Sequence, residues 1–415
     1  MRRLAQEAGG LRSRTGMQAA LLGCVFLGLF TEVLLSPYYP QFFRQVFGVE
    51  DYSYTGFYLF VCRLTVVLCS PVWGWLARKA GAKRLLFAGQ AGTALTTALL
   101  ASADSATEFL ILTVCLLLFK SSYMLIYPIL MELTDRGGQA GSAAKFHTVH
   151  HTAVLLAALT GAHMLQMERP LTLFYGAAAA DVVQLLVCIG VLWGWRGGSR
   201  QAGEPESAGS KLSLIGLLRD RYIVTLGLLF FTLTVANQVV RPFFTPYVEE
   251  AFRLSTGIAG VLFLLPHACA LTLLPFLRSI CKPGRLHVAY TLGVATMAAG
   301  LMIQALSEGI TGLIIGRMLY GMFLAITMAV LDVILFERER GTGAAMTFSV
   351  MVSFQTAGEL LSPLLASFLS IQAGLNTPLL AAALLCLVNT LLFRWSAIHR
   401  SPKEAAKWNV HGSKT

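Results

Sequence analysis

Runs of about twenty predominantly apolar residues recur from one end of the chain to the other, and they limit what it can fold into. Twelve can be marked, at about 17–38, 54–76, 85–103, 109–131, 145–166, 170–194, 222–247, 255–277, 286–306, 309–334, 343–371 and 376–397. Each is long enough to cross the roughly 30 Å hydrocarbon core of a bilayer as a helix. Composition agrees: 13% of the 415 residues are charged and 56% are hydrophobic, whereas a soluble domain carries roughly 25% charge. No ten-residue segments of two-residue period recur, which argues against an outer-membrane barrel. The expectation is an all-α membrane protein with twelve transmembrane helices.

The formal charge of +11 would suggest nucleic acid in a soluble protein, but its placement gives another meaning. If both termini are inside, the inward segments hold 25 of the 32 Lys and Arg, and the outward loops hold only Arg44, Arg169 and Arg253. That bias sets an N-in, C-in topology and leaves no role for nucleic acid. The expected location is the plasma membrane (the cell inner membrane in a bacterium), with multiple passes through the lipid bilayer. The basic start, "MRRLAQEAGGLRSRTG", flanks an apolar run too long for a cleaved signal, so the first helix is expected to be retained. Eight cysteines are scattered singly, seven of them inside spans. They read as small buried residues, with no disulfide and no metal site expected.

The stretch 195–221, rich in Gly, Ser and charge, divides the spans six and six. The organisation expected is a cytoplasmic tail (1–16), a six-helix bundle (17–194), a cytoplasmic linker (195–221), a second six-helix bundle (222–397) and a tail (398–415). Internal repetition supports two pseudo-symmetric halves. "SPYYPQFF" (36–43) is echoed by "RPFFTPYV" (241–248), Thr55-Gly56 by Thr256-Gly257, and "GSAAKF" (141–146) by "GAAMTF" (343–348). Each offset is about two hundred residues, a design common among secondary transporters.

A family resemblance follows. The inward loop "GWLARKAGAKR" resembles the signature loop of the major facilitator superfamily, with Gly74, Leu76, Gly81 and Lys83 in place. In that family an Asp of the loop helps latch the two halves, and here Arg78 stands in its position. "GRMLYGMFLA" (316–325) is similar to the family's R-x-x-x-G pattern, with Lys120 in the corresponding place of span 4. The resemblance implies the twelve-helix fold of that superfamily and transport by alternating access, with spans 1, 4, 7 and 10 around a central path.

A charge at mid-bilayer costs about 2.5–3.5 kcal/mol on insertion scales, so each ionisable residue inside a span is a functional candidate. Glu32 and Arg63 lie at similar depth on neighbouring spans and are expected to pair, as are Glu359 and Arg317. These read either as structural ion pairs or as a proton-coupling device, since a carboxylate beside a cation responds to changing wetness and occupancy. Glu32 is the first choice for proton coupling, because span 1 carboxylates serve that role in related drug–proton antiporters, and Glu359 is the second. Asp181, in a span that forms outer scaffold in the family, reads as structural. Lys120 and Arg241 have no obvious carboxylate, and with Arg63 and Arg317 they suit an anionic group on a substrate. Tyr123, Tyr127, Asn237 and Gln355 complete the expected substrate lining.

The functional expectation is a secondary transporter, most readily a proton-coupled exporter of a small organic molecule, either a drug or a carboxylate-bearing metabolite such as a siderophore. Import of a similar organic anion is the alternative, and a non-transporting membrane sensor or scaffold is an alternative of another class. The protein is expected to be a monomer, to use no cofactor beyond the proton gradient, and not to be an enzyme, since no HExxH, GxSxG or Walker loop occurs. His147, His150 and His151 can share one helical face at the inner end of span 5. With the residues of the signature loop they form the expected inner gate, the other readings being an interfacial face or metal ligation.

Overall fold

In the computed structural model, residues 2–126, 129–130, 133, 139–193, 220–273, 276, 280, 285–338 and 344–396 are described. Among them the regular structure is helical. In the first half the α-helices are α1 (Arg2–Val33), α2 (Tyr39–Phe47), α3 (Tyr52–Ala80), α4 (Ala82–Leu100), α5 (Ala106–Lys120), α6 (Gln139–Met164) and α7 (Leu173–Leu192). In the second they are α8 (Arg221–Gln238), α9 (Phe244–Phe252), α10 (Thr256–Leu273), α11 (Leu286–Leu306), α12 (Ile310–Arg338), α13 (Ala344–Ala373) and α14 (Thr377–Trp395). Eight described segments are long and apolar enough to cross a membrane. They lie on α1, α3, α5, α7, α10, α11, α12 and α14. The other four expected spans are also helices, α4, α6, α8 and α13.

The chain divides into two compact units, residues 1–54 with 61–206, and residues 55–60 with 207–415. Helix pairing repeats between them. In the first unit α1 packs on α6 and α7, and α4 on α5 and α7; in the second α8 packs on α13 and α14, and α11 on α12 and α14. The two short helices repeat as well. Each has nine residues and ends in a left-handed cap, Gly48 (φ 67°) after α2 and Arg253 (φ 52°) after α9, 205 residues apart.

Packing follows the rule of bilayer proteins, in which small residues let backbones approach and polar groups bond across helices. A Cβ on Gly89 of α4 would lie 2.0 Å from Ser122 Oγ, and one on Gly293 of α11 would lie 2.8 Å from Thr327 Oγ1, the same crossing in each unit. Gln90, Gln184, Gln304 and Asn389 are fully buried, while Leu95, Leu186, Leu292 and Leu384 face outward. Polar residues inside and apolar residues outside suit lipid as solvent.

The helix of the first span begins earlier than the span itself: α1 starts at Arg2, ahead of the apolar stretch Arg14–Val33, because Leu4, Ala5, Gln6, Glu7 and Ala8 are strong helix formers. The spans that were expected to run through 38 and 247 instead stop at Val33 and Gln238, and the chain turns before α2 and α9. Most of the expected linker and the expected C-terminal tail lie outside the described residues.

Candidate functional site

In the first unit, a chain of polar side chains crosses four helices. Glu32 stands in the last turn of α1, its side chain 51% exposed, and its Oε2 lies 3.8 Å from the Lys120 ammonium. Lys120 is buried and also reaches Thr31 Oγ1 at 3.5 Å. It is the last residue of α5, where the helix tightens into a 3-10 turn over Ser121–Leu125. In that geometry residues three apart eclipse one another, so Tyr123 comes beside Lys120, its ring centroid 6.0 Å from Nζ. The Tyr123 hydroxyl donates to Gln184 Oε1 at 2.7 Å, and Gln184 Nε2 donates to Asp181 Oδ1 at 3.1 Å. Thr97 Oγ1 of α4 donates to the other Asp181 oxygen at 2.8 Å. Gly28 of α1 makes room for this chain, since a Cβ there would lie 2.9 Å from the Tyr123 ring and 3.2 Å from Gln184 Oε1.

The expected partner of Glu32 was Arg63. The ion pair joins Glu32 to Lys120 instead, where the end of α5 meets the last turn of α1, while Arg63 is exposed on α3. Tyr127 lies outside the described residues.

In the second unit, Arg317 is buried and its donors are engaged by protein. Nε donates to the Leu262 carbonyl at 3.1 Å, Nη2 to the Phe263 carbonyl at 3.2 Å and Nη1 to Gln304 Oε1 at 3.4 Å. The guanidinium also stacks on Phe244, 3.6 Å from the ring centroid. Pro266 lies inside α10 and has no N–H for the carbonyl of Leu262 four residues earlier. Arg317 therefore repairs a proline break. This corrects one expectation: Arg317 pairs with carbonyls of α10 and with Gln304, and not with Glu359. Glu359 and Gln355 are half-buried one turn apart on α13.

Asn237 accepts a short hydrogen bond from the Tyr320 hydroxyl. Arg241, half-buried after α8, donates to Gln238 Oε1 at 3.4 Å and lies 5.7 Å from the Phe263 ring centroid. Asn237, Tyr320, Arg241 and Phe263 thus form a polar and aromatic cluster, the second unit's counterpart to the Glu32–Lys120 pair.

The repeat shows what reading the halves separately missed. Glu32 and Asn237 are equivalent, 205 residues apart as α2 and α9 are. Phe109 and Thr113 of α5 match the buried Leu313 and Arg317 of α12, so the counterpart of Arg317 is Thr113 and not Lys120. Gln184 and Thr97, which carry the network to Asp181, were not singled out in sequence. The signal for Gln184 was available in its equivalence to Asn389, 205 residues on, since the repeat puts an amide side chain at the same place in both units.

Of the expected inner-gate residues, Gly81 is the single residue between α3 and α4, with φ 85°, a left-handed corner suited to glycine. Lys83 donates to the Trp193 carbonyl at 3.0 Å, and Leu76 is half-buried on α3. Gly74 and Arg78 lie on α3 and His147, His150 and His151 on α6, but their side chains are outside the described residues. Among the described residues no group of three His, Cys, Asp or Glu is placed to hold a metal ion.

Comparison with known proteins places this architecture. The Major Facilitator Superfamily model matches residues 8–162 and 226–413. Multidrug resistance protein MdtG of Escherichia coli O17:K52:H18 is 22% identical over 394 residues, covering 92% of this chain and 94% of that protein. The Dickeya zeae protein of the same name is 22% identical over 401 residues, covering 93% and 95%. Among solved structures, the nucleoside transporter NupG superposes with a TM-score of 0.75 at 12% identity, covering 92% of this chain and 100% of that one. The human organic anion transporter MFSD10 gives a TM-score of 0.64 at 17% identity, covering 91% and 99%. These likenesses are of fold.

Proposed function

The chain belongs to the Major Facilitator Superfamily, and from that premise we propose that it is a proton-coupled exporter of small organic molecules. It is a multi-pass membrane transporter; proton coupling, direction and cargo are our reading. The observation that carries the reading is the Glu32–Lys120 pair, a half-exposed carboxylate 3.8 Å from a buried ammonium. Protonating Glu32 removes the ion pair and changes the charge offered to a cargo, which links proton movement to binding. The same-length relatives named for multidrug resistance support export and a cargo of the drug class. Alternating access, N-in and C-in topology and a plasma-membrane location belong to this reading, as do Glu359 as a second coupling carboxylate and a monomeric state.

The test is flux in proteoliposomes under an imposed pH gradient, with ethidium as a cationic probe and carboxyfluorescein as an anionic one. Export of ethidium against the proton gradient, lost in Glu32→Gln, supports the reading. Movement of neither probe with the gradient, together with a silent Glu32→Gln, would sink it. A second reading, transport of an organic anion, is favoured by the Arg241–Phe263–Asn237 cluster, where a guanidinium beside an aromatic ring suits a planar carboxylate. Carboxyfluorescein movement sensitive to Arg241→Gln distinguishes it.

A further inference from the structure

The charged residues of the first unit form a set that the second unit lacks. At the positions 205 residues on, Glu32 is replaced by Asn237 and Asp181 by Cys386, and in the α5–α12 register, where the offset is 204, Lys120 falls on Leu324. Burial fixes the register. The buried positions Ala178, Asp181, Gln184 and Cys188 of α7 fall on Ala383, Cys386, Asn389 and Phe393 of α14, also buried. The helix pairings are the same in both units. The second unit thus builds the same packing with a thiol where the first buries a carboxylate, so the scaffold does not require a charge there.

A buried charge persists when a partner compensates it. Lys120 has Glu32 beside it, but Glu32 is half exposed whereas Lys120 is buried. When Glu32 is neutralised, the Lys120 ammonium needs another anion. Asp181 is the buried carboxylate of the same network, joined by hydrogen bonds through Gln184 to Tyr123, whose ring lies beside Lys120. Tyr123 is the other titratable group on this network, and Cys24 and Cys188, in contact with each other, adjoin it where Cys24 donates to the Gln184 carbonyl.

We infer that Asp181 is a positioning residue that acts through Lys120: the two carboxylates share one cation, and Asp181 keeps Lys120 compensated while Glu32 is neutral. Glu32 then exchanges its proton or cargo without Lys120 leaving its place. The transport half of this statement rests on the proposed role of Glu32, whereas the charge balance does not.

The test is a stability cycle on the purified full chain, by thermal unfolding in detergent. The variants are Glu32→Gln, Asp181→Asn, the two together, and the pair combined with Lys120→Met. Each single change is expected to lower the midpoint modestly and the double by more than the sum, with Lys120→Met recovering most of the double's loss. If the double does not fold and the triple does, the inference stands. Additive losses, or a triple no better than the double, overturn it. In proteoliposomes Asp181→Cys, the residue the second unit uses, is expected to fold and to alter the pH profile of ethidium flux, with Asp181→Glu restoring it. A profile unchanged in Asp181→Cys overturns the transport half. Wild-type protein that moves no ethidium overturns the proposed cargo, and the stability cycle then decides the charge balance alone.

Discussion

Arg317 donates its Nε hydrogen at 3.1 Å to the Leu262 carbonyl, the acceptor that Pro266 leaves without a helical donor. A side chain from α12 thereby completes the backbone bonding of α10, which in a bilayer no water can do. Gly321, one turn beyond Arg317, permits the approach, since a Cβ there would lie 2.3 Å from Pro266 Cα.

The relationship predicts a coupled pair of mutations. Arg317→Met should cost about 1–3 kcal/mol for each buried carbonyl left without a donor. In a Pro266→Ala background the loss should be smaller, because residue 266 then supplies an N–H to Leu262. A double-mutant cycle by thermal unfolding in detergent checks this, and additive losses would show that the bond to Leu262 is incidental.

The observed partner of Glu32 separates two readings of the first unit. Lys120→Met should reduce pH-gradient-driven flux of ethidium as severely as Glu32→Gln does, by at least about tenfold, or about 1.4 kcal/mol of barrier. Arg63→Gln, at the partner expected from sequence, should retain most of the flux. Initial rates in proteoliposomes decide. A severe Arg63→Gln with a mild Lys120→Met would restore the original pairing.

At Gly161 of α6 a Cβ would lie 2.0 Å from the Leu34 carbonyl, where the chain leaves α1. The Tyr38 hydroxyl fastens the same crossing by donating to the Ala158 carbonyl at 2.9 Å. Gly161→Ala should therefore cost about 1–3 kcal/mol, as overpacking does. Gly176→Ala on α7, with open space around it, is the control, and should gain up to about 1 kcal/mol from helix propensity. Equal unfolding midpoints for the two variants would refute the close contact.

Arg253, which ends α9 at φ 52°, is the one non-glycine residue with positive φ among those described. Its repeat counterpart is Gly48 at φ 67°. Left-handed backbone costs a side-chain-bearing residue roughly 1–2 kcal/mol. Arg253→Gly should raise the unfolding midpoint and Gly48→Ala should lower it. A fall in Arg253→Gly would mean that the arginine side chain outweighs the backbone strain.

Much of this protein can be read in its residues. Helix placement depends on the hydropathy of a local window, and the duplication on segments recurring at a fixed offset. The all-helical class, the repeated halves and the superfamily were therefore legible without coordinates. So was the position of Glu32 and Lys120 as charges inside apolar spans, because hydropathy does not depend on the fold. Partner choice was not legible. Whether Glu32 meets Arg63 or Lys120 depends on which helix lies against the last turn of α1, and there the end of α5 does. Whether Arg317 meets Glu359 or the carbonyls of α10 depends on the acceptor that Pro266 leaves open at Leu262. Which stretches are apolar and where charges interrupt them is a one-dimensional property, fixed by the order of residues. Only the tertiary structure decided which of them touch, because a hydrogen bond or ion pair is made by distances of a few ångströms between helices far apart in the chain.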